Sequence, residues 1–226
     1  MSNNIPLAGV IGSPIAHSQS PKLHGYWLKR YGIAGHYVHL DVAQADLAEV
    51  LKAMPKMGFV GANVTIPHKE TVLGLADIVT DRAALIGAAN TLIFRPDGSL
   101  YADNTDGYGF IENLRTGADW DPKSGPAVVL GAGGAARAVI ASLLDAGVPE
   151  IRLSNRTRTR SEALRAEFGA RVKVCEWVNA DEAMEGAGTV VNTTSLGMTG
   201  QPELKVSLDH LSSDAVVTDI VYQVHM

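Results

Sequence analysis

The stretch Gly131-Ala132-Gly133-Gly134-Ala135-Ala136 restricts the fold of this chain more than any other. It follows four apolar residues, 127–130, that read as a buried strand, and it opens a helical pattern over 135–146 that Gly147 closes. Glycines at such a junction permit a tight turn and let the backbone approach a pyrophosphate, which the free N–H groups and positive dipole end of the helix then hold. The match is Gly-x-Gly-x-x-Ala in its proper setting, so Gly131, Ala132, Gly133, Gly134 and Ala135 are predicted nucleotide contacts. A glycine-rich turn without a ligand is the competing explanation; the strand before and the helix after favour the nucleotide.

Around this turn the chain alternates short apolar runs with helix-like stretches, the pattern of an α/β protein. Strands are predicted over 7–11, 36–40, 61–66 and 90–95, with helices over 21–31 and 47–54, and Pro67 ending the third strand. A turn falls at Asp97-Gly98, and residues 121–126, rich in Pro, Gly and Ser, read as a linker after which a second unit starts. That unit continues with strands over 150–154, 172–175, 189–192 and 215–219 and a helix over 159–168, a βαβ succession that builds a parallel sheet through right-handed crossovers. The expectation is an N-terminal α/β domain over 1–106 and a Rossmann-type domain over 107–226, with a cleft between them.

The strand after the glycine turn ends in Ser154-Asn155-Arg156-Thr157-Arg158-Thr159-Arg160. An acid here would hold a ribose 2′-OH, but the segment has none and carries three arginines. Guanidinium groups pair with a phosphate monoester through planar, charge-assisted hydrogen bonds, so the residues point to NADP rather than NAD. A merely solvated basic helix start is less favourable, because cations oppose the helix dipole there. Arg156 and Arg160 are the preferred phosphate ligands.

Four polar clusters occupy the first half. Ser18 and Ser20 stand before a helix, where hydroxyls and free N–H groups can bind a carboxylate; helix capping by Ser20 is the plain alternative. Thr65 and Lys69 lie in Asn-Val-Thr-Ile-Pro-His-Lys-Glu, in the loop after a strand. Lys69 suits a general acid or base, or a fixed positive charge beside a developing alkoxide. Asn90 precedes a strand, and Asp106 closes Asp-Asn-Thr-Asp in a turn before a linking helix, where it could pair with Lys69. Turn chemistry alone would also place Asn, Asp and Gly there.

Composition excludes several classes. A net charge of -5 over 226 residues argues against broad nucleic-acid binding. A lone cysteine, Cys175, rules out an intrachain disulfide. The N-terminus lacks the basic and apolar regions of a signal peptide, and no apolar run nears the roughly 20 residues of a membrane helix, so a cytoplasmic chain without a membrane partner is expected. His17, His24, His36, His39 and His68 form no metal-ligand pattern; His36 and His39 would face opposite sides of a strand. No metal is expected.

Taken in order, the segments Gly-Ser-Pro-Ile-Ala-His-Ser-Gln-Ser-Pro, Asn-Val-Thr-Ile-Pro-His-Lys-Glu, Gly-Ala-Ala-Asn-Thr-Leu, Asp-Asn-Thr-Asp-Gly, Gly-Ala-Gly-Gly-Ala-Ala-Arg, Asn-Arg-Thr and Asn-Thr-Thr-Ser-Leu-Gly-Met resemble the shikimate dehydrogenase family from about Ala8 to Tyr222. The resemblance implies NADP-linked reduction of 3-dehydroshikimate to shikimate, in chorismate and aromatic amino acid biosynthesis, by a monomer or homodimer. It implies that Ser18 and Ser20 bind the substrate carboxylate, that Thr65, Asn90 and Asp106 bind ring hydroxyls, that Tyr222 reaches the substrate, and that Lys69 and Asp106 are catalytic. It further implies cofactor contacts at Asp81, Gly131 to Ala135, Asn155, Arg156, Thr157, Arg158, Arg160, Thr193, Ser195 and Ile220. A quinate/shikimate dehydrogenase is the enzyme alternative, against which the arginine-rich segment counts.

The family pattern continues past Asp219-Ile220-Val221-Tyr222 with a Pro-rich turn, a Gly-rich segment, a substrate-contacting Gln and a final helix, none of which matches residues 223–226. The resemblance therefore implies a C-terminally short chain, with a ligand-binding but poorly active fragment as a further alternative.

Overall fold

The structure is a computed structural model that describes residues 5–220. The chain divides into two compact units, Met1–Thr105 and Asp106–Met226.

The first unit runs β1 (Leu7–Gly12), α1 (Ser20–Arg30), β2 (His36–Asp41), α2 (Leu47–Ala53), β3 (Gly61–Val64), β4 (Ile78–Val79), α3 (Asp81–Ile86), β5 (Thr91–Phe94) and β6 (Leu100–Asp103). Its sheet has the order β2-β1-β3-β5-β6-β4. β1 pairs parallel with β2 and β3, whereas β5 lies antiparallel between β3 and β6. The core gathers Ile11, Leu47, Leu51, Met54, Val64, Val72 and Leu92. The helix at Leu47 stops at Ala53 and tightens into a 3-10 turn over Met54–Met57, because Pro55 has no N–H to continue the α ladder and Gly58 reverses the chain at φ 90°. β3 ends at Val64, two residues short of the expected boundary; Ile66 is exposed and its carbonyl instead accepts from the Ser13 N–H at 3.2 Å.

The second unit runs α4 (Asp106–Gly117), β7 (Ala127–Leu130), α5 (Gly134–Ala146), β8 (Ile151–Ser154), α6 (Arg158–Phe168), β9 (Val172–Cys175), β10 (Thr189–Asn192) and β11 (Val216–Asp219). The sheet order is β11-β10-β7-β8-β9, and every pair is parallel. Alternation along the central strand feeds two cores: Ala127 and Val129 meet Ile140, Leu143 and Leu164 on one face, and Val128 and Leu130 meet Ala180, Met184 and Ala187 on the other. This is the doubly wound architecture expected of the Gly-rich half.

The proline-rich stretch 121–126 does not begin the second unit. It is a loop inside it, closed by a bond from the Ser124 N–H to the Asp121 carbonyl at 3.1 Å, because α4 already packs on α5 through Ile111 and Leu114. That approach needs Gly107: a Cβ there would stand 2.0 Å from Ser142 Oγ and 3.1 Å from the Ala138 carbonyl oxygen. Gly107→Ala is therefore expected to lower stability by about 1–3 kcal/mol through overpacking, read as a lower denaturant midpoint; an unchanged midpoint would contradict the close packing.

Candidate active site

In the first unit, the loop ends of β1, β3, β5 and β6 carry the polar side chains. Ser18 Oγ donates to Ser20 Oγ at 3.2 Å and accepts from the Ser20 N–H at 3.3 Å. Ser20 is not the cap of α1: Gln19 holds that position and makes no side-chain capping bond, while the Ser20 N–H is met by the Ser18 hydroxyl. Both hydroxyls thus stand next to the helix start, with Pro21 in its first turn. The loop is tied down by His39, whose Nε2 lies 2.9 Å from the Ser18 carbonyl oxygen.

Thr65 and Lys69 stand in the turn after β3. The Thr65 N–H donates to the Ile11 carbonyl at 2.9 Å, and its own carbonyl accepts from the His68 N–H at 2.9 Å. His68 is fully buried, with Nε2 2.8 Å from the Val42 carbonyl oxygen. The Lys69 carbonyl accepts from the Ala89 N–H at 2.8 Å, so the lysine backbone is fastened one residue away from Asn90. Asn90, 8% exposed, donates from Nδ2 to Thr105 Oγ1 at 3.2 Å, and its Oδ1 accepts from the Thr105 N–H at 3.0 Å and the Thr91 hydroxyl at 2.8 Å. Asn63 continues the network: Nδ2 donates to the Asn90 carbonyl at 3.3 Å, and Oδ1 accepts from the Tyr37 hydroxyl at 2.7 Å. Burial pushes the Tyr37 phenol well above its usual range and lowers the pKa of His24, whose ring stacks on Tyr37 at 4.1 Å.

The first unit thus gathers Ser18 and Ser20 on one loop, and Thr65, Lys69 and Asn90 around the ends of β3 and β5. Asp81 is the exposed first residue of α3. Asp106, half-buried, is the first residue of α4 in the second unit. The sequence assigns no role in the site to Tyr37, His39, Asn63, Thr105 or Asp103. The signal for Asn63 was its place two residues before Thr65; its importance shows only when β3 and β5 pair antiparallel with Asn63 opposite Thr91.

In the second unit, the sheet order turns back between β7 and β10, and loops diverge from both strand ends there. Gly131 takes φ 107°, and a Cβ on it would lie 2.6 Å from Thr193 Oγ1. Gly133 is the N-cap of α5, extended, with no side-chain cap and open space where a Cβ would point. The first-turn N–H groups of α5 are therefore presented by bare backbone. Beyond β8, the Asn155 amide donates to the Thr157 carbonyl at 2.9 Å, and Thr157 caps α6 without a side-chain bond. Arg158 is engaged by Glu162 at 3.0 Å and by Glu176. Arg156 and Arg160 are exposed and have no ion pair among the described residues. Thr193 donates to the Leu130 carbonyl from both its N–H and its hydroxyl, at 2.8 and 2.7 Å. Ser195 and Ile220 are exposed nearby in the chain, after β10 and β11; Tyr222 lies outside the described residues.

The fold and these groups define a two-unit, Rossmann-containing protein with a nucleotide-type turn in one unit and a hydroxyl- and amide-lined polar network beside a lysine in the other. Comparison with known proteins gives the family. Residues 10–92 match the model of the shikimate dehydrogenase substrate binding domain, and residues 118–206 match that of shikimate / quinate 5-dehydrogenase. A shikimate dehydrogenase (NADP(+)) of Cereibacter sphaeroides is 73% identical over 219 residues, covering 96% of this chain and 78% of the relative. The shikimate 5-dehydrogenase of Thermus thermophilus, solved with NADP(H) and shikimate, superposes with a TM-score of 0.85 at 37% identity, over 96% of this chain and 79% of that one. A quinate dehydrogenase of Corynebacterium glutamicum, solved with NAD, gives 0.87 at 30% identity, over 97% and 81%. This chain belongs to the shikimate dehydrogenase family.

The Asp103 carboxylate, beside the Asn90 network, is shifted from its ordinary range. Partial burial acts to raise the Asp103 pKa, but hydrogen bonds from Thr80, Arg82 and the Asn104 N–H, with the Arg82 charge, outweigh it and hold the group below the usual carboxylate range. A depressed folded-state pKa contributes stability that is present above the unfolded value and is lost as pH falls through the folded one. Stability is thus expected to drop below pH about 4 in the wild type, and less steeply in Asp103→Asn, when denaturant midpoints are compared along an acid series; parallel curves would contradict the assignment.

Proposed function

We propose that this chain is an NADP-dependent shikimate dehydrogenase, an oxidoreductase that reversibly reduces 3-dehydroshikimate to shikimate in aromatic amino acid (chorismate) biosynthesis. The observation that carries this reading is the fastening of Lys69 to Ala89, which sets a cationic side chain's backbone beside the Asn90 network and its array of hydroxyls and amides. A compact polyhydroxylated acid calls for that kind of lining, and family membership at high identity over nearly the whole chain narrows the class to shikimate.

The residues fit NADP. Gly131 leaves no room for a side chain, Gly133 opens the start of α5 to a pyrophosphate, and Arg156 and Arg160 supply two exposed guanidinium groups, without an ion pair among the described residues, where a 2′-phosphate would lie. Bound NADPH supplies the hydride for the carbonyl carbon of the substrate. In this reading Gly131, Ala132, Gly133, Gly134 and Ala135 face the pyrophosphate, Asn155 and Thr157 shape the ribose end, and Arg158 acts from its place between Glu162 and Glu176. Asp81 reaches the nucleotide, Thr193 and Ser195 border it, and Ile220 flanks the nicotinamide.

Residues 1–106 bind the substrate and 107–226 the cofactor. Ser18 and Ser20 take the carboxylate, with hydroxyl donors beside the start of α1. Thr65, Asn90 and Asp106 orient the ring hydroxyls; the substrate contact expected of Tyr222 falls outside the described residues. Lys69 acts at the reacting oxygen, as the proton carrier or as a fixed positive charge, and Asp106 works with it. The partners are this substrate and cofactor alone; the chain works in the cytoplasm as a monomer or homodimer, without nucleic acid or membrane. The net charge of -5 speaks against a nucleic-acid partner, and among the described residues no helix is long and apolar enough to cross a membrane.

Lys69→Ala is expected to lower kcat by about 100-fold or more while changing KM for shikimate far less; a large rise in KM at unchanged kcat would remove Lys69 from the chemistry. Arg156→Ala is expected to raise KM for NADP+ by about 10-fold or more and leave weak NAD+ use untouched, as the loss of a charge-assisted hydrogen bond requires; an unchanged KM for NADP+ would overturn the phosphate assignment.

A further inference from the structure

Asp103, the first residue of Asp-Asn-Thr-Asp, has been given no part in binding or chemistry, yet it holds more of the surrounding polar groups than any other acid of the first unit. Its Oδ1 accepts from the Thr80 hydroxyl at 2.7 Å and from the Asn104 N–H at 2.7 Å. Oδ2 accepts from Arg82 Nη2 at 2.6 Å. Its backbone carbonyl accepts from the Asn90 N–H at 3.0 Å. The same residue therefore grips Asn90 through its main chain and Asn104 through its side chain.

The next two residues extend the grip. Asn104 is fully buried and donates from Nδ2 to the Ala88 carbonyl at 2.9 Å. Thr105 closes on the Asn90 side chain through its N–H and hydroxyl. On the other side, the Thr80 hydroxyl that donates to Asp103 also accepts from the Ala83 N–H at 3.1 Å, so it joins the start of α3 to the end of β6.

We propose that Asp103 is a positioning residue for the reaction, its Oδ1 fixing the main chain that holds Thr105 on the Asn90 side chain and so presents Asn90 to the substrate ring. The Arg82 contact is separate: Arg82 is 48% exposed, meets only Oδ2, and as a surface ion pair contributes little. The two oxygens thus have different work. Oδ1 sets geometry, and small displacements of substrate-orienting groups lower turnover steeply. Oδ2 balances a charge. The proposal rests on the reading of Asn90 as a ring-hydroxyl ligand.

The design follows from that division. In Asp103→Asn the side-chain oxygen can occupy the Oδ1 place and accept both bonds, while the exposed Arg82 swings into water. In Asp103→Ala both acceptors are gone. Relative to wild type, kcat with shikimate is expected to fall by about 30-fold or more in Asp103→Ala, and to stay within about 3-fold in Asp103→Asn and in Arg82→Met, with KM for NADP+ within about 3-fold throughout. A purely structural acid would lower the melting temperature of Asp103→Ala but leave kcat per folded molecule intact, and that result would overturn the proposal. So would equal losses in Asp103→Ala and Arg82→Met.

Should Asp103→Ala fail to fold, Thr80→Val and Thr80→Ser read the same contact from its donor side: kcat is expected to drop about 10-fold in the first and hold in the second, and equal rates would overturn the proposal. A wild-type chain with no shikimate-dependent turnover would sink the functional reading instead. Hydrogen exchange then tests Asp103 by itself: the Asn104 and Asn90 amides are expected to lose protection in Asp103→Ala or Thr80→Val and keep it in Asp103→Asn, and unchanged exchange in the disruptive variant would be decisive against it.

Discussion

Thr193 meets the carbonyl of Leu130 twice, through its N–H at 2.8 Å and its hydroxyl at 2.7 Å, at the place where the parallel sheet reverses its strand order. The rest of the nucleotide half follows from that closure. With the Thr193 hydroxyl against the end of β7, no side chain fits on the next residue, and Gly131 occupies the position at φ 107°. The turn then delivers Gly133 to the start of α5, where bare backbone and the helix dipole face outward together. Asn192, nearly buried, secures the other lip: Oδ1 accepts from the Thr194 N–H and hydroxyl, and Nδ2 donates to Asp219 Oδ2 at 2.8 Å. One hydrogen-bonded threonine thus couples a packing demand to a place for an anion.

The first unit reaches a comparable result by other means. Its sheet is mixed, so β5 runs back between β3 and β6 and brings Asn63, Asn90, Thr91 and Thr105 together at one end. A buried amide that makes both donor and acceptor bonds is held in a single orientation, and breaking one partner leaves the other unsatisfied. Asn90 is such an amide, and the Lys69 backbone is anchored to the residue before it. The chemistry proposed for Lys69 depends on this rigidity as much as on its charge.

The Rossmann-type half was legible in the sequence almost to its element boundaries, because strand, glycine turn and helix are each signalled locally. Residues 127–130 read as a strand, and Ala127–Leu130 is one. The first half was less legible. The two-residue β4 and the short β6 carry too little periodicity to stand out, and the antiparallel return of β5 is a tertiary choice. Ser20 invited a capping role that it does not take, since the chain enters α1 at Gln19 in helical backbone geometry. Of the arginines after β8, sequence reading prefers Arg156 and Arg160 without a reason to set Arg158 aside; in the fold Glu162 and Glu176, the latter eighteen residues away, engage Arg158. Tyr37, Asn63 and Asp103 were missed because each matters through a partner distant in sequence.

The account stands or falls on the reaction of the wild-type chain. Steady-state reduction of the cofactor should be followed with shikimate and with quinate, each with NADP+ and with NAD+. The account predicts kcat/KM highest by a wide margin for shikimate with NADP+. Preference for quinate, or equal use of NAD+, would contradict it.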